Sequence, residues 1–435
     1  MGDRLGDASG RSLLADGATT GAIVAGSFAL YLATYAVRGY VFPVGPDAPV
    51  YIWWARLAGQ DGLAAVRGRP GVPAVLLALG DVLHLGTATA VAVLEIVLAV
   101  CVSLGVLALV SSGSTAGDRW KRYLASAFAG LFAAHLAVGY VATLMAAVLF
   151  LAASACFARG SRAGAFAAGG LLGSAALAHP PFGAIGGVVL ALTTLPTLVR
   201  DRRVRGDRQA EIGRLLTVLV VAGLTFGAGL LALGHGASAI HVDTSRDDVM
   251  QSLGLGSELP GLFRERLIDH GWSYAPLCLP FVALGILHAR SFLGRYLSAW
   301  AAVLVLGGGV AFVTGWFPPE RLVTFAFAIP IGLGLGIPDV VRDVTGRGSG
   351  AAARWRKPAG RAIGAAVVIA FIWPTASVWF RTPPKLFPLE VQRVTEASRF
   401  ISAVSPGTRL VFTASGRQPV ASFFWTEVGN AIRAA

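Results

Sequence analysis

Apolar runs of about 20 residues, the length that crosses a bilayer as a helix, recur along most of this chain. Nothing else in the sequence constrains the fold as tightly. Hydrocarbon offers the backbone no hydrogen-bond partners, so segments of this kind are stable there only as helices packed on other helices. Composition agrees: 55% of the residues are hydrophobic and 14% are charged, with a mean hydropathy of +0.67. The fold class read from this is an all-α polytopic membrane protein, and length does not count domains in such a chain.

The runs divide into about eleven transmembrane helices of bilayer-spanning length. The expected spans are 21–37, 74–110, 123–157 divided near Gly139, 163–199 divided at His179-Pro180-Pro181, 215–233, 273–287, 296–314, 322–337 and 362–380. The run 74–110 is too long for one upright span, which predicts a break near Gly80 or Gly86 or a projecting first turn. Residues 1–20 form an N-terminal tail, and 21–380 form the membrane domain. Residues 381–435 are not membrane-like: a helical pattern over 389–404, a short strand over 409–413 and a helix over 420–432 suggest a small α/β piece.

The net charge of +13 does not point to nucleic acid, because no basic face on a soluble fold carries it. The basic residues cluster in the connections 118–122, 159–162, 200–214, 288–295 and 342–361. The positive-inside rule then puts all five in the cytoplasm, together with the N-terminus. Loops 38–73, 234–271 and 315–321, and the tail after Phe380, fall on the extracytoplasmic face of the cell membrane. Cys101, Cys156 and Cys278 lie in apolar spans and read as small buried hydrophobes rather than a disulfide framework or metal site. Asp3, Asp7 and Asp16 make the N-terminus a poor signal-peptide leader, so the first run is expected to be a retained anchor.

On this topology His84, His135, His179, His235, His241 and His270 gather near the outer face, with only His288 inside. A polar vestibule there is one explanation; the ordinary polarity of outer loops is the other. The stretch 43–56, PVGPDAPVYIWWAR, sets an acid, Asp47, beside Tyr51, Trp53 and Trp54 in the first outer loop. Glu95 is a carboxylate inside an apolar run, where such groups are costly. It reads either as functional or as a protonated carboxyl hydrogen-bonded to a neighbouring helix. If 74–110 were one helix, Asp81, His84 and Glu95 would share a face and form a polar stripe below the vestibule. The segment His241-Val242-Asp243-Thr244-Ser245-Arg246-Asp247-Asp248 carries oxygen ligands and an imidazole, a set suited to Mg²⁺ or Mn²⁺, against the alternative of a solvated loop.

Taken together, these features resemble the GT-C glycosyltransferase superfamily, polytopic enzymes that use polyprenyl-phosphate-linked sugars on the extracytoplasmic face. Three local features carry the resemblance. The first is Asp47 within Gly45-Pro46-Asp47-Ala48-Pro49-Val50-Tyr51. The second is Arg321 in Glu320-Arg321-Leu322-Val323-Thr324-Phe325, leading to Pro330. The third is Glu396-Ala397-Ser398-Arg399-Phe400-Ile401 followed by Pro406-Gly407-Thr408-Arg409-Leu410-Val411. Two departures are plain: the first loop has no paired acids, and Trp53-Trp54 is followed by Ala55-Arg56 instead of the Asp-Tyr-Gly of oligosaccharyltransferases.

The resemblance implies transfer of a sugar from a polyprenyl-phosphate donor to a glycan or lipid acceptor, with inversion. Asp47 would be the general base. Arg321, with Glu320 beside it, would bind the leaving phosphate, and Arg264 is a weaker candidate for the same task. Arg321 could equally snorkel to lipid headgroups. Tyr51, Trp53, Trp54, His179, Asp81 and His84 complete the expected substrate site, although Trp53 and Trp54 also fit plain interfacial anchoring. A divalent cation, Mg²⁺ or Mn²⁺, is compatible with this chemistry. The alternatives are a transporter or flippase for a lipid-linked or anionic substrate, working through Glu95, and a non-catalytic scaffold.

Overall fold

The computed structural model describes residues 3–39, 43–45, 48–66, 69–113, 119–200, 205–233, 283, 292–307, 327–346 and 351–381. Thirteen helices are followed here: α1 (Asp3–Arg38), α2 (Ala48–Asp61), α3 (Gly71–Leu83), α4 (Thr87–Gly113), α5 (Arg119–Phe132), α6 (Ala134–Ala137), α7 (Val141–Ala158), α8 (Arg162–Ala178), α9 (Pro180–Arg200), α10 (Arg205–Ala232), α11 (Phe292–Ala302), α12 (Ala328–Gly346) and α13 (Ala351–Arg381). No strand occurs among the described residues. Among the described residues, five helical segments are long and apolar enough to cross a membrane: Asp16–Arg38, Thr87–Ser112, Val141–Ala158, Gln209–Ala232 and Ala362–Arg381. Gly71–Leu83, Pro180–Pro196 and Phe292–Leu306 are shorter apolar helices. The chain is a multi-pass helical membrane protein. Loop 234–271, the expected span 273–287 apart from Ala283, and the α/β piece at 381–435 apart from Arg381 lie outside the described residues.

The helix breaks follow local chemistry. Gly139 divides the run 123–157 with φ +116°, a conformation open chiefly to glycine. The break at 178–183 falls on His179, and Pro180 and Pro181 occupy the first turn of α9, where a missing N–H costs nothing. Ser161 caps α8 by accepting a hydrogen bond from the Gly164 N–H at 3.0 Å. The run 74–110 breaks between the two expected glycines. His84 turns left-handed at φ +51°, a region where His is enriched among non-glycine residues. The Leu85 N–H then reaches back to the Gly80 carbonyl at 3.1 Å, closing the helix end.

Small residues and buried hydroxyls bring the helices together. Gly169 and Gly173 on α8 lie against Val218, Val221, Ala222 and Thr225 of α10 so closely that a Cβ on either would collide with them. Ser126 of α5 donates to the Ser103 carbonyl of α4 at 2.8 Å, and the Ser27 and Ser103 hydroxyls, of α1 and α4, are 3.3 Å apart. The Tyr31 hydroxyl donates to the Gly130 carbonyl at 2.6 Å, while the Trp379 indole donates to the Tyr31 carbonyl at 3.3 Å. Those two bonds tie α1 to α5 and to α13. Phe150, Phe182, Tyr296 and Trp300 form an aromatic core among α7, α9 and α11, with Phe150 and Tyr296 stacked at 6.2 Å.

The bundle has two chemically different ends. At one, Arg119 and Tyr123 both hold Asp16 at 2.6 Å. There too Lys121 of α5 meets Asp339 of α12 at 2.8 Å, and Arg295 donates to the Thr193 carbonyl at 3.2 Å. The short basic connection 158–162 turns at this end, where Arg214 near the start of α10 comes up against Gly160. The other end carries residues 43–45, α2, α3, α6 and the His179 break.

Candidate functional site

The segment expected as an outer loop holds a helix. Ala48, Tyr51, Ile52 and Ala55 of α2 are buried, and their spacing puts them on one face. Trp53, 38% exposed, lies off that face. The Tyr51 hydroxyl accepts from the Ala142 N–H at 3.2 Å, supplying a partner for one of the free amides in the first turn of α7. Trp54 stands edge-on to Tyr51 at 5.6 Å, and the Arg69 guanidinium lies over Trp54 at 6.0 Å, a cation–π arrangement. Burial pushes the Arg56 guanidinium below its ordinary pKa, since the charged form loses hydration.

Residues 43–45 are pinned between α1 and the α6–α7 turn. The Val44 N–H donates to the Tyr35 hydroxyl at 3.2 Å. Gly45 has φ +102°, and a Cβ there would strike the Val138 carbonyl and the Gly139 N. Two independent constraints therefore demand glycine at this position. Asp47 follows two residues later but lies outside the described residues, as do Arg264, Glu320 and Arg321. Val44, Gly45 and Ala48, the described residues flanking it, are all buried.

His179 and the start of α3 come together: the Gly71 Cα approaches the Leu177 and Ala178 backbone of α8. His179 is buried and caps α9, its Nδ1 accepting from the Phe182 N–H at 3.2 Å. His135 of α6 is also buried, with its ring 5.4 Å from Phe132. Asp81 and His84 are exposed at the far end of α3. That helix has 13 residues, so at 1.5 Å per residue about 18 Å separates its two ends.

The polar stripe expected along 74–110 is not formed. The left-handed turn at His84 separates Asp81 and His84 from Glu95, which is fully buried in α4. The Tyr35 hydroxyl of α1 donates to Glu95 Oε2 at 3.3 Å. Glu95 Oε1 has no hydrogen-bond partner among the described residues. Glu95 is thus hydrogen-bonded to a neighbouring helix. Tyr35 is the residue that sequence reasoning did not single out, because nothing in the sequence pairs a tyrosine of α1 with a carboxyl of α4.

No group of three or more His, Cys, Asp or Glu side chains that could hold a metal occurs among the described residues. The segment 241–248 lies outside them.

No protein-family model matches the sequence, and no curated protein matches it. Solved structures do match in fold. The apo crystal structure of the Archaeoglobus fulgidus oligosaccharyltransferase matches with a TM-score of 0.62 at 12% identity, over 94% of this chain and 64% of that one. The same organism's oligosaccharyltransferase AglB, in complex with an inhibitory peptide and a dolichol-phosphate, matches with a TM-score of 0.58 at 13% identity, over 94% of this chain and 63% of that one. The complex with Zn and sulfate matches with a TM-score of 0.61 at 12% identity, over 93% and 61%. The chain therefore spans less than two thirds of the length of these proteins. At such identity the likeness speaks for architecture alone: this chain has a membrane fold like that of the archaeal oligosaccharyltransferase AglB.

Proposed function

We propose that this protein is a GT-C-type glycosyltransferase that moves a sugar from a polyprenyl-phosphate carrier to a glycan or lipid acceptor at the extracytoplasmic face of the cell membrane. The observation that carries the reading is the fold shared with AglB over nearly the whole chain, one structure of which holds a dolichol-phosphate and a peptide. The first loop adds support, because Val44 and Gly45 are clamped into a fixed backbone conformation just ahead of Asp47.

In the proposed reaction the acceptor hydroxyl attacks the anomeric carbon as the bond from that carbon to the phosphate oxygen breaks. The bond's electron pair leaves with the polyprenyl phosphate, and the configuration inverts. Asp47 takes the acceptor proton, so that the nucleophile gains electron density as it attacks. Arg321, with Glu320 beside it in sequence, stabilises the negative charge on the departing phosphate, and Arg264 is a second candidate. Trp53, exposed beside this loop, contacts the sugar or the prenyl chain. Tyr51, Trp54 and His179 shape the site's wall, and Asp81 and His84 sit at its rim. The described residues hold no cluster of metal ligands.

In this reading the basic end faces the cytoplasm and the end bearing α2 and α3 faces outward, as the positive-inside rule requires. Native mass spectrometry of protein extracted gently from its own membranes tests the reading. A co-bound polyprenyl phosphate is expected; bulk phospholipid alone, with no uptake of added polyprenyl-phosphate sugars, contradicts it.

A further inference from the structure

The Tyr35 hydroxyl sits between two partners that make different demands on it. The Val44 N–H can only donate, so the hydroxyl oxygen must accept from it, at 3.2 Å. The hydroxyl proton must then go elsewhere, and it goes to Glu95 Oε2 at 3.3 Å. Glu95 is wholly buried, and its other oxygen has no partner among the described residues. A buried carboxyl left half satisfied is costly in a membrane helix. An apolar residue here would pack without that cost.

We infer that Glu95 and Tyr35 are positioning residues that hold the Val44–Gly45 segment in place. Glu95 fixes the direction of the Tyr35 proton, which leaves a lone pair aimed at the Val44 N–H. One residue further on, the segment is stopped by the backbone of Val138, against which Gly45 lies with no room for a Cβ. The segment is thus held between a hydroxyl on α1 and the turn between α6 and α7. Pro46 follows, and its ring locks one of the few torsions between Gly45 and Asp47. Asp47 is two residues beyond Gly45 in sequence. The consequence for catalysis rests on the proposed role of Asp47; the tether itself does not.

Hydrogen–deuterium exchange of the full-length protein in lipid nanodiscs tests the tether without any substrate. In Tyr35→Phe, exchange in the peptide containing Val44 and Gly45 should rise about fivefold, the worth of one hydrogen bond. Peptides from α7 and α8 should keep their protection. Glu95→Leu should raise exchange at the same peptide, although its site is on α4. Glu95→Gln keeps an oxygen that can accept the hydroxyl proton, and it should restore most of the protection. Unchanged exchange at Val44–Gly45 in both Tyr35→Phe and Glu95→Leu overturns the inference. So does a loss of protection spread evenly over α1 and α4, because that marks general packing. In a transfer assay Tyr35→Phe should lower kcat about fivefold with KM changed less than twofold, as expected for a misplaced reacting group. If the wild-type protein transfers no sugar, the reading of Asp47 falls, while the exchange pattern still decides the tether.

Discussion

The Tyr51 hydroxyl of α2 accepts a hydrogen bond from the Ala142 amide at the first turn of α7, 3.2 Å away. An aromatic residue beside the candidate acid thereby completes the end of a membrane helix. Tyr51→Phe keeps the ring and removes the hydroxyl. It should lower stability by about 1 kcal/mol, read as a fall in the unfolding temperature in detergent. Transfer activity should fall less than in any variant of Asp47.

Gly45 and Gly62 separate strain from collision. Both have positive φ, +102° and +84°, so alanine at either site costs about 1–3 kcal/mol of backbone strain. Only Gly45 has backbone atoms where a Cβ would go; Gly62 has nothing within 4 Å. Gly45→Ala should therefore unfold at a clearly lower temperature than Gly62→Ala. Equal loss from the two substitutions would mean that the contact with Val138 is loose.

At the opposite end, Lys121 and Asp339 join α5 to α12 at 2.8 Å, with side chains only 13% and 12% exposed. Asp339→Asn leaves a poorly hydrated ammonium facing a neutral amide, and the cost should be about 3 kcal/mol. Arg342, 68% exposed and 3.9 Å from the same carboxylate, should matter little: Arg342→Ala is expected within about 0.5 kcal/mol of wild type. Thermal unfolding of both variants in the same detergent checks the ranking.

The α8–α10 contact makes a similar contrast. A Cβ on Gly173 would lie 2.6 Å from the Ala222 carbonyl and 2.7 Å from the Thr225 Cβ, whereas Gly170 has open space. Gly173→Val should destabilise by about 1–3 kcal/mol through overpacking, and Gly170→Ala should unfold at or above the wild-type temperature. Proteolysis of α10 in membranes gives an independent readout of whether the pair has parted.

Much of the fold was legible because membrane helices announce themselves by length. Gly139 and His179-Pro180-Pro181 marked two breaks correctly, since glycine and proline act through their own backbone chemistry. The break at His84 was less visible: the left-handed residue is a histidine, and only the neighbouring glycines hinted at it. The helix at Ala48–Asp61 reads as loop from sequence, because a short amphipathic run rich in tryptophan looks the same as an interfacial anchor. The stripe through Asp81, His84 and Glu95 failed for the same reason as the His84 break, since it required one unbroken helix. Periodicity placed Glu95 in a span, but the partner that satisfies it, Tyr35, is 60 residues away in sequence, and no local pattern encodes such a pairing. Asp47 and Arg321 rest on the sequence resemblance, and the fold shared with AglB makes that resemblance worth testing.

The most direct test is sugar transfer from synthetic polyprenyl-phosphate sugars to membrane-derived acceptors, measured for the wild-type protein, Asp47→Asn and the remote Arg342→Ala. A general base contributes about 10²–10⁴-fold, so Asp47→Asn should lose at least about 100-fold in rate with the protein still folded, while Arg342→Ala transfers normally. Transfer by Asp47→Asn at the wild-type rate would contradict the account.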